Sequence, residues 1–387
     1  MTKRARILAL APNAWDGQWM NRQQILSRLA ATHHIVYSTG PWFTWSRSTA
    51  EFRAASVRGT FELRDGVWVD RPPKYILRWP KMKLWDRASI RAAASRWRRH
   101  LDRLGTGALV AYIFHPSYAP YARILRADLL VYSPFDLFSR TPGWGMLEAE
   151  QEQWLLEHAD LIFAVSKETR AVLAERTTKP VHWIPNGVDA DAFMVAGSLP
   201  VPSDMQAIPH PRIGYVGSIN RKVDLPLIAR LAEREPGWHF VLIGPQFGHD
   251  EVTEAAERKC RELPNVHFLA PRSKEMLPAT MGALDVGLMC YRTGVGTWVD
   301  YGYPLKLHEY LATGLPVVSA DLPAVREFEH LIDIASTVDD WHSALQRILA
   351  GAARGSVDER RAEAARNTWD RRASRVAALL DEALEAT

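Results

Sequence analysis

Cysteine is nearly absent: the chain of 387 residues has two, Cys260 and Cys290, without paired spacing and without a nearby cluster of histidines. A disulfide framework or a zinc site therefore has little support, and a reducing, cytoplasmic setting fits. Long apolar runs are missing as well. No stretch approaches the roughly 20 residues that cross a bilayer, so any membrane contact is expected to be peripheral. Lys3, Arg4 and Arg6 do precede ILALA, but that run is shorter than a signal-peptide core and soon meets Asn13 and Asp16, so it reads as a first β-strand. Walker loop, serine-elbow motif and a full GxGxxG with its ribose acid are all lacking, which argues against a dehydrogenase.

What is present has the balance of a globular enzyme, with 47% apolar and 24% charged residues, and the length suits two domains. The net charge of +4 is small but uneven. Arg71, Lys74, Arg78, Lys81, Lys83, Arg87, Arg91, Arg96, Arg98, Arg99 and Arg103 lie close together, opposed by Asp86 and Asp102, with Trp79, Trp85 and Trp97 among them. Basic residues interleaved with aromatics suit the surface of an anionic leaflet. A solvated helix face over buried tryptophans accounts for the same pattern. Nucleic acid is a weaker third reading, because no recognised binding motif accompanies the patch.

The first half alternates strand-like and helix-like runs: RILALA, Gln18 to Ala31, HHIVYS, a long basic helical stretch, ALVAYIF, DLLVYS, a helix from Gly145 to His158, and DLIFAVS. Apolar runs that do not alternate imply strands covered on both faces, hence a parallel sheet between helix layers. The rhythm breaks at VAGSLPVPSDMQAIPHP, where Pro, Gly, Ser and Asp crowd together. A second series follows in RIGYVGS, HFVLIGP, VHFLAP, ALDVGLMC, LPVVSA and LIDIA. The expected architecture is α/β with two doubly wound, Rossmann-like parallel sheets: residues 1–195, a linker at 196–211, residues 212–365, and a C-terminal helix at 366–387 that packs back on the first domain. Such sheets bind ligands at the C-terminal ends of their strands, in a cleft shared by the two halves.

Chemistry concentrates in YGYPLKLHEYLATGLPVVSADLPAV. Pro304 suits the first turn of a helix over Leu305 to Thr313, Gly314 stops it, and LPVVSA is the next buried strand. Lys306 and Glu309 then share a helix face near its N-terminus. Free N–H donors and the positive end of the helix dipole stabilise a diphosphate there, with Lys306 adding charge and Glu309 accepting from ribose hydroxyls. The same spacing also describes a common surface ion pair of little worth. Gly217 and Ser218 sit at the turn after GYVGS, with Lys222 just beyond and Gly244 ending the next strand. Glycine lets backbone N–H groups approach a phosphate, and a tight turn without a ligand explains it equally. In the first half, His115 and Asp136 end strands and have the chemistry to orient or deprotonate an acceptor hydroxyl. His115 also fits a structural, hydrogen-bonded role. Trp15 and Trp19 suit either stacking on a sugar or the core.

The segment around Lys306 resembles the nucleotide-sugar signature of glycosyltransferase family 4 and its relatives in the GT-B superfamily, and the resemblance extends through HADLIFAVSKE, IPNGVDADAF and LPNVHFLAPRSKEMLPATMGALDVGLM. It looks closest to the branch that assembles exopolysaccharide and teichuronic acid. It implies a retaining transferase that moves a sugar from a UDP- or GDP-type donor to a hydroxyl of a glycan or lipid-linked acceptor, without a metal or other cofactor. In that family two acids separated by seven residues touch the donor. Glu309 matches the second, and the first falls on Tyr301, with Asp300 beside it. The resemblance places Gly302, Pro304 and Leu305 along the donor, Lys306 and Lys222 on the diphosphate, and the base at Ala270, Pro271 and Arg272. Asp136 corresponds to an acid usual in that turn, and Asp16, Gly17 and Trp19 resemble the acceptor-side loop. The alternatives are a nucleotide-sugar epimerase and a non-catalytic nucleotide-sugar-binding assembly protein.

Overall fold

The computed structural model describes residues 4–386 apart from 142, 249 and 295–297. It divides into two compact units, residues 1–185 with 370–387, and residues 186–369. The first unit contains β1 (Arg6–Leu10), β2 (His34–Ser38), β3 (Trp42–Phe43), β4 (Thr60–Arg64), β5 (Val67–Arg71), β6 (Leu77–Arg78), β7 (Leu109–Ile113), β8 (Leu129–Tyr132), β9 (Leu161–Ala164) and β10 (Val181–Trp183). Eight of these form one sheet in the order β10-β9-β8-β7-β1-β2-β5-β4, and β3 pairs with β6. All the pairings are parallel except β4 with β5. The apolar run ILALA is a central strand, as its character predicts: Ile7, Leu8, Ala9 and Leu10 are fully buried.

The hairpin of β4 and β5 is absent from the sequence reading, although the signal stands in FELRDGVWV. Asp65 (φ +48°) and Gly66 (φ +80°) make a two-residue turn of the kind Asp-Gly favours between strands. Asp65 then accepts a hydrogen bond from Trp15 Nε1 at 3.0 Å, which seats Trp15 (1% exposed) in the core.

The second unit holds β11 (Arg212–Val216), β12 (His239–Ile243), β13 (Val266–Leu269), β14 (Val286–Met289), β15 (Val317–Ala320) and β16 (Asp333–Ala335), an all-parallel sheet in the order β13-β12-β11-β14-β15-β16. The unit boundary lies before Asn186, ahead of the stretch 196–211 expected to link the domains. That stretch belongs to the second unit because Ala196, Met205 and Ile208 are buried in it. The chain's two passages at the unit's margin are fastened together: Val188 N–H donates to Asn367 O (2.9 Å) and Trp369 N–H to Val188 O (3.1 Å). Gly187 is required there, since a Cβ would lie 2.9 Å from the Asn367 carbonyl oxygen. The final helix, Trp369–Glu385, contributes buried Ala373, Val376, Leu379 and Leu380, spaced as one helical face, and its residues from Asp370 belong to the first unit. Among the described residues no helix is long and apolar enough to cross a membrane.

Candidate active site

In the second unit the ends of β11 and β12 make one close-packed turn. Gly217 (φ +143°) and Gly244 (φ +148°) approach so nearly that a Cβ on Gly244 would stand 2.1 Å from the Gly217 carbonyl oxygen. A Cβ on Gly217 would stand 3.1 Å from Lys306 Nζ, so glycine at both places is what lets the lysine reach this turn.

Lys306 lies in the first turn of the helix Leu305–Thr313, whose N-cap is Pro304. No side chain caps that end and no acidic residue occupies its first turn, which leaves its positive pole to an anion. The helix is held against β11 by Tyr310, whose Oη accepts from Val216 N–H (2.9 Å) and donates to Gly214 O (3.3 Å). The preceding loop is held by Asn186, whose Nδ2 donates to Tyr303 O at 2.6 Å, and by the 2.8 Å hydrogen bond between Tyr303 Oη and His308 Nε2.

Lys306 is 7% exposed. Its Nζ donates to Tyr291 Oη at 2.7 Å and sits 4.1 Å from the Tyr215 ring centre and 4.9 Å from that of Tyr291. Burial, reinforced by repulsion from Lys222, lowers its pKa to about 7. Glu309, one turn further, keeps partial exposure while the protein around it removes enough water to raise its pKa to about 7, against the pull of Lys306. Among the described residues Glu309 has no hydrogen-bond or ion-pair partner. An unsatisfied carboxylate beside a half-neutral lysine is a pair completed by a ligand that brings negative charge and hydroxyl donors.

Lys222 joins this cluster, its Nζ 5.8 Å from the Tyr291 ring centre and 5.7 Å from that of Trp298, whereas Arg221 is exposed. Tyr291 also lines a polar cavity of about 630 Å³, with Arg292, Ser336 and Thr337 on its wall. Ser218 turns its carbonyl to Tyr215 Oη at 3.0 Å. Tyr301 closes a short helical turn, Trp298–Tyr301, and Gly302 N–H donates to Val299 O at 3.2 Å. Pro271 is exposed, and Arg272 spends its guanidinium on Asp204 at 2.6 Å. The structure thus brings together Gly217, Gly244, Lys222, Lys306 and Glu309. Tyr215, Tyr291, Tyr303, Tyr310 and Asn186 were not foreseen. Tyr310 directly follows Glu309 in the motif, but nothing in the spacing of the others announces them.

In the first unit, His115 follows β7 and caps the short turn Pro116–Tyr118: its Nδ1 accepts from Ser117 N–H at 3.2 Å. Burial pushes its pKa down to about 4, so at neutral pH the ring is uncharged with its proton on Nε2. It is placed to donate a hydrogen bond rather than to take a proton. Asp136 is half-buried near Arg22, a 1% exposed arginine whose guanidinium lies 4.5 Å from the Phe135 ring centre. Asp16 and Gly17 are exposed, and Asp16 is ion-paired with Arg71. Trp19 is partly exposed, edge-on to Trp15 at 6.0 Å.

Successive parallel-sheet units of this kind, the second with its polar cluster at the strand ends, define the GT-B fold class. Residues 31–192 match the family model described as Glycosyltransferase Family 4, and residues 210–350 the model described as Glycosyl transferases group 1. The two matches together span most of the chain and support a glycosyltransferase of the family 4 type. The chain is 29% identical over 178 residues to TuaH of Bacillus subtilis (strain 168), described as a teichuronic acid biosynthesis glycosyltransferase. That match covers 45% of this chain and 44% of the relative, so it spans less than half of either. Among solved structures, sucrose-phosphate synthase from Thermosynechococcus elongatus superposes with a TM-score of 0.73 at 16% identity, covering 99% of this chain and 100% of that one. Anabaena HepE, solved with UDP and glucose, gives 0.72 at 12% identity over 98% and 100%. At these identities the likeness is one of fold.

Proposed function

We propose that this chain transfers a sugar from a nucleoside diphosphate sugar, of UDP or GDP type, to a hydroxyl of a glycan or lipid-linked acceptor in cell-surface polysaccharide assembly, at the inner face of the cell membrane. The observation that carries the reading is the Lys306–Glu309 pair at an uncapped helix N-terminus against the Gly217–Gly244 turn. Anabaena HepE, of the same fold, is described in complex with UDP-glucose, which supports a donor of that class. Glu309 binds the ribose hydroxyls, and Lys306, Lys222 and the helix end bind the diphosphate.

As the glycosidic bond breaks, negative charge grows on the departing phosphate and positive charge on the sugar. Groups already oriented toward the phosphate stabilise that state more than the ground state and so lower the barrier. This assignment needs no metal or other cofactor. Transfer proceeds with retention, as the family resemblance implies. The acceptor lies against the strand ends of the first unit, where Asp136 accepts the proton of its hydroxyl and His115 donates a hydrogen bond through Nε2.

Calorimetric titration with UDP, GDP and ADP tests the donor assignment. Glu309→Ala is expected to weaken the preferred nucleotide by about ten-fold or more, the worth of a hydrogen bond to a charged group. Equal binding by the variant and the parent would remove this site. An acceptor-independent isomerisation of the donor sugar would instead identify an epimerase.

A further inference from the structure

The first unit leaves large apolar side chains exposed, and most of them gather at one edge of its sheet. All the strands of the sheet except β4 are parallel, so the segments that follow β2, β5 and β8 emerge at the C-terminal edge, with His115 and Asp136. Trp45 (60% exposed) follows β3 on the segment between β2 and β4, and Met146 (85%) starts the helix between β8 and β9. The densest group follows β5, where Tyr75 (65%), Trp79, Leu84 (83%) and Trp85 project around the start of the helix Lys83–Leu104.

Charge on this segment has one sign at the surface. Its single acid between 72 and 91, Asp86, is buried and held by Arg78 in a two-pronged ion pair of 2.5 and 2.7 Å. Lys81, Lys83, Arg87 and Arg91 are exposed and have no ion-pair partner among the described residues. Of the three tryptophans that a merely solvated helix face would bury, Trp97 is buried (1% exposed), but Trp79 (40%) and Trp85 (49%) are not. A solvated basic helix face explains the lysines and arginines. It does not explain why the aromatic and aliphatic side chains between them are also in water.

We infer that this edge docks on the surface of an anionic lipid bilayer. Acidic headgroups neutralise the four cations, while Leu84, Trp79 and Trp85 enter the interfacial layer, where indole rings and short apolar side chains are favoured. Trp85 Nε1 is already satisfied by Leu77 O at 2.8 Å, so its ring enters without an unpaired donor. Docking at this edge presents the acceptor groups near His115 and Asp136 to a molecule anchored in the bilayer. In that respect the inference rests on the lipid-linked acceptor proposed above, whereas binding to the surface itself requires neither donor nor acceptor.

Flotation of the full chain with vesicles tests it, using phosphatidylcholine alone and phosphatidylcholine with about 30% phosphatidylglycerol, at low salt and at about 0.5 M salt. The chain is expected to float with the anionic vesicles at low salt, and high salt to release it. Lys81→Glu with Lys83→Glu, and separately Leu84→Ser with Trp85→Ser, should each weaken binding about ten-fold or more while the chain still unfolds cooperatively. Nucleotide titration of the same variants, with unchanged affinity expected, separates this surface from the donor site. No flotation, equal flotation with pure phosphatidylcholine, or flotation indifferent to both pairs of substitutions overturns the inference. Retention on single-stranded DNA without vesicle binding overturns it in favour of nucleic acid.

Discussion

Lys306 and Glu309 are displaced to about 7 from opposite directions, and their effects on stability have opposite slopes. Between the ordinary glutamate value and 7, the folded chain keeps a proton on Glu309 that the unfolded chain has lost, so stability falls as pH rises through that window. Between 7 and the ordinary lysine value, the unfolded chain carries the extra proton on Lys306, so stability rises with pH. The unliganded protein should therefore show a local minimum in thermal midpoint near neutrality. Glu309→Gln flattens its acid side and Lys306→Met its alkaline side. Midpoints that follow pH identically in parent and variants would contradict the assignment. A nucleoside diphosphate reverses the shift on Lys306, because an anion beside it favours the ammonium form. Above pH 7 binding should take up a proton and weaken by up to about ten-fold per pH unit, which titration in buffers of different ionisation enthalpy measures. The pair itself was legible in the motif, since three residues along a helix is one face. Its electrostatics were not, because the rings of Tyr215 and Tyr291 that wall Lys306 come from β11 and from the segment after β14, distant in the chain.

At the scale of elements, the site depends on how closely β11 and β12 end. Gly244→Ala places a methyl group 2.1 Å from a backbone oxygen, where no side-chain rotation relieves the clash, at a φ that L-residues rarely adopt. The expected cost is about 2–3 kcal/mol or more in urea unfolding, with nucleotide affinity falling too, because the displaced Gly217 turn faces Lys306. A variant of parental stability would show that this approach is dispensable. Strands of β-branched and aliphatic residues were readable as buried runs, and the helix at Lys306 was bounded by Pro304 and Gly314. The β4–β5 hairpin escaped that reading, because Glu62, Arg64 and Asp70 interrupt the apolar run at a sheet edge. There the Asp65-Gly66 turn is the better signal.

For the whole molecule, the first unit is completed by the far end of the chain. Deleting residues 370–387 removes the buried face made by Ala373, Val376, Leu379 and Leu380. At roughly 1.5–3 kcal/mol for a fully buried aliphatic side chain, the loss is comparable with the entire stability of a domain. The truncated chain is expected to lose the cooperative unfolding of its first unit in chemical denaturation, and an unchanged transition would show that the helix is an accessory. The structure has two successive doubly wound units, with residues 370–387 grouped with the first and the second beginning at Asn186. Composition marked 196–211 as irregular, but packing made it part of the second unit.

By itself, the sequence determined the class of fold, the donor-side motif and the placing of Lys306 and Glu309 on one helix face, because these depend on local periodicity and on residues near one another in the chain. Tertiary structure alone decided that Lys306 is stripped of water between aromatic rings. It also decided that His115 is held as a neutral donor, and that Trp79 and Trp85 of the basic segment after β5 stay exposed while Trp97 is buried. The physical reason is common to all three: desolvation and exposure are set by neighbours distant in sequence, which periodicity does not record.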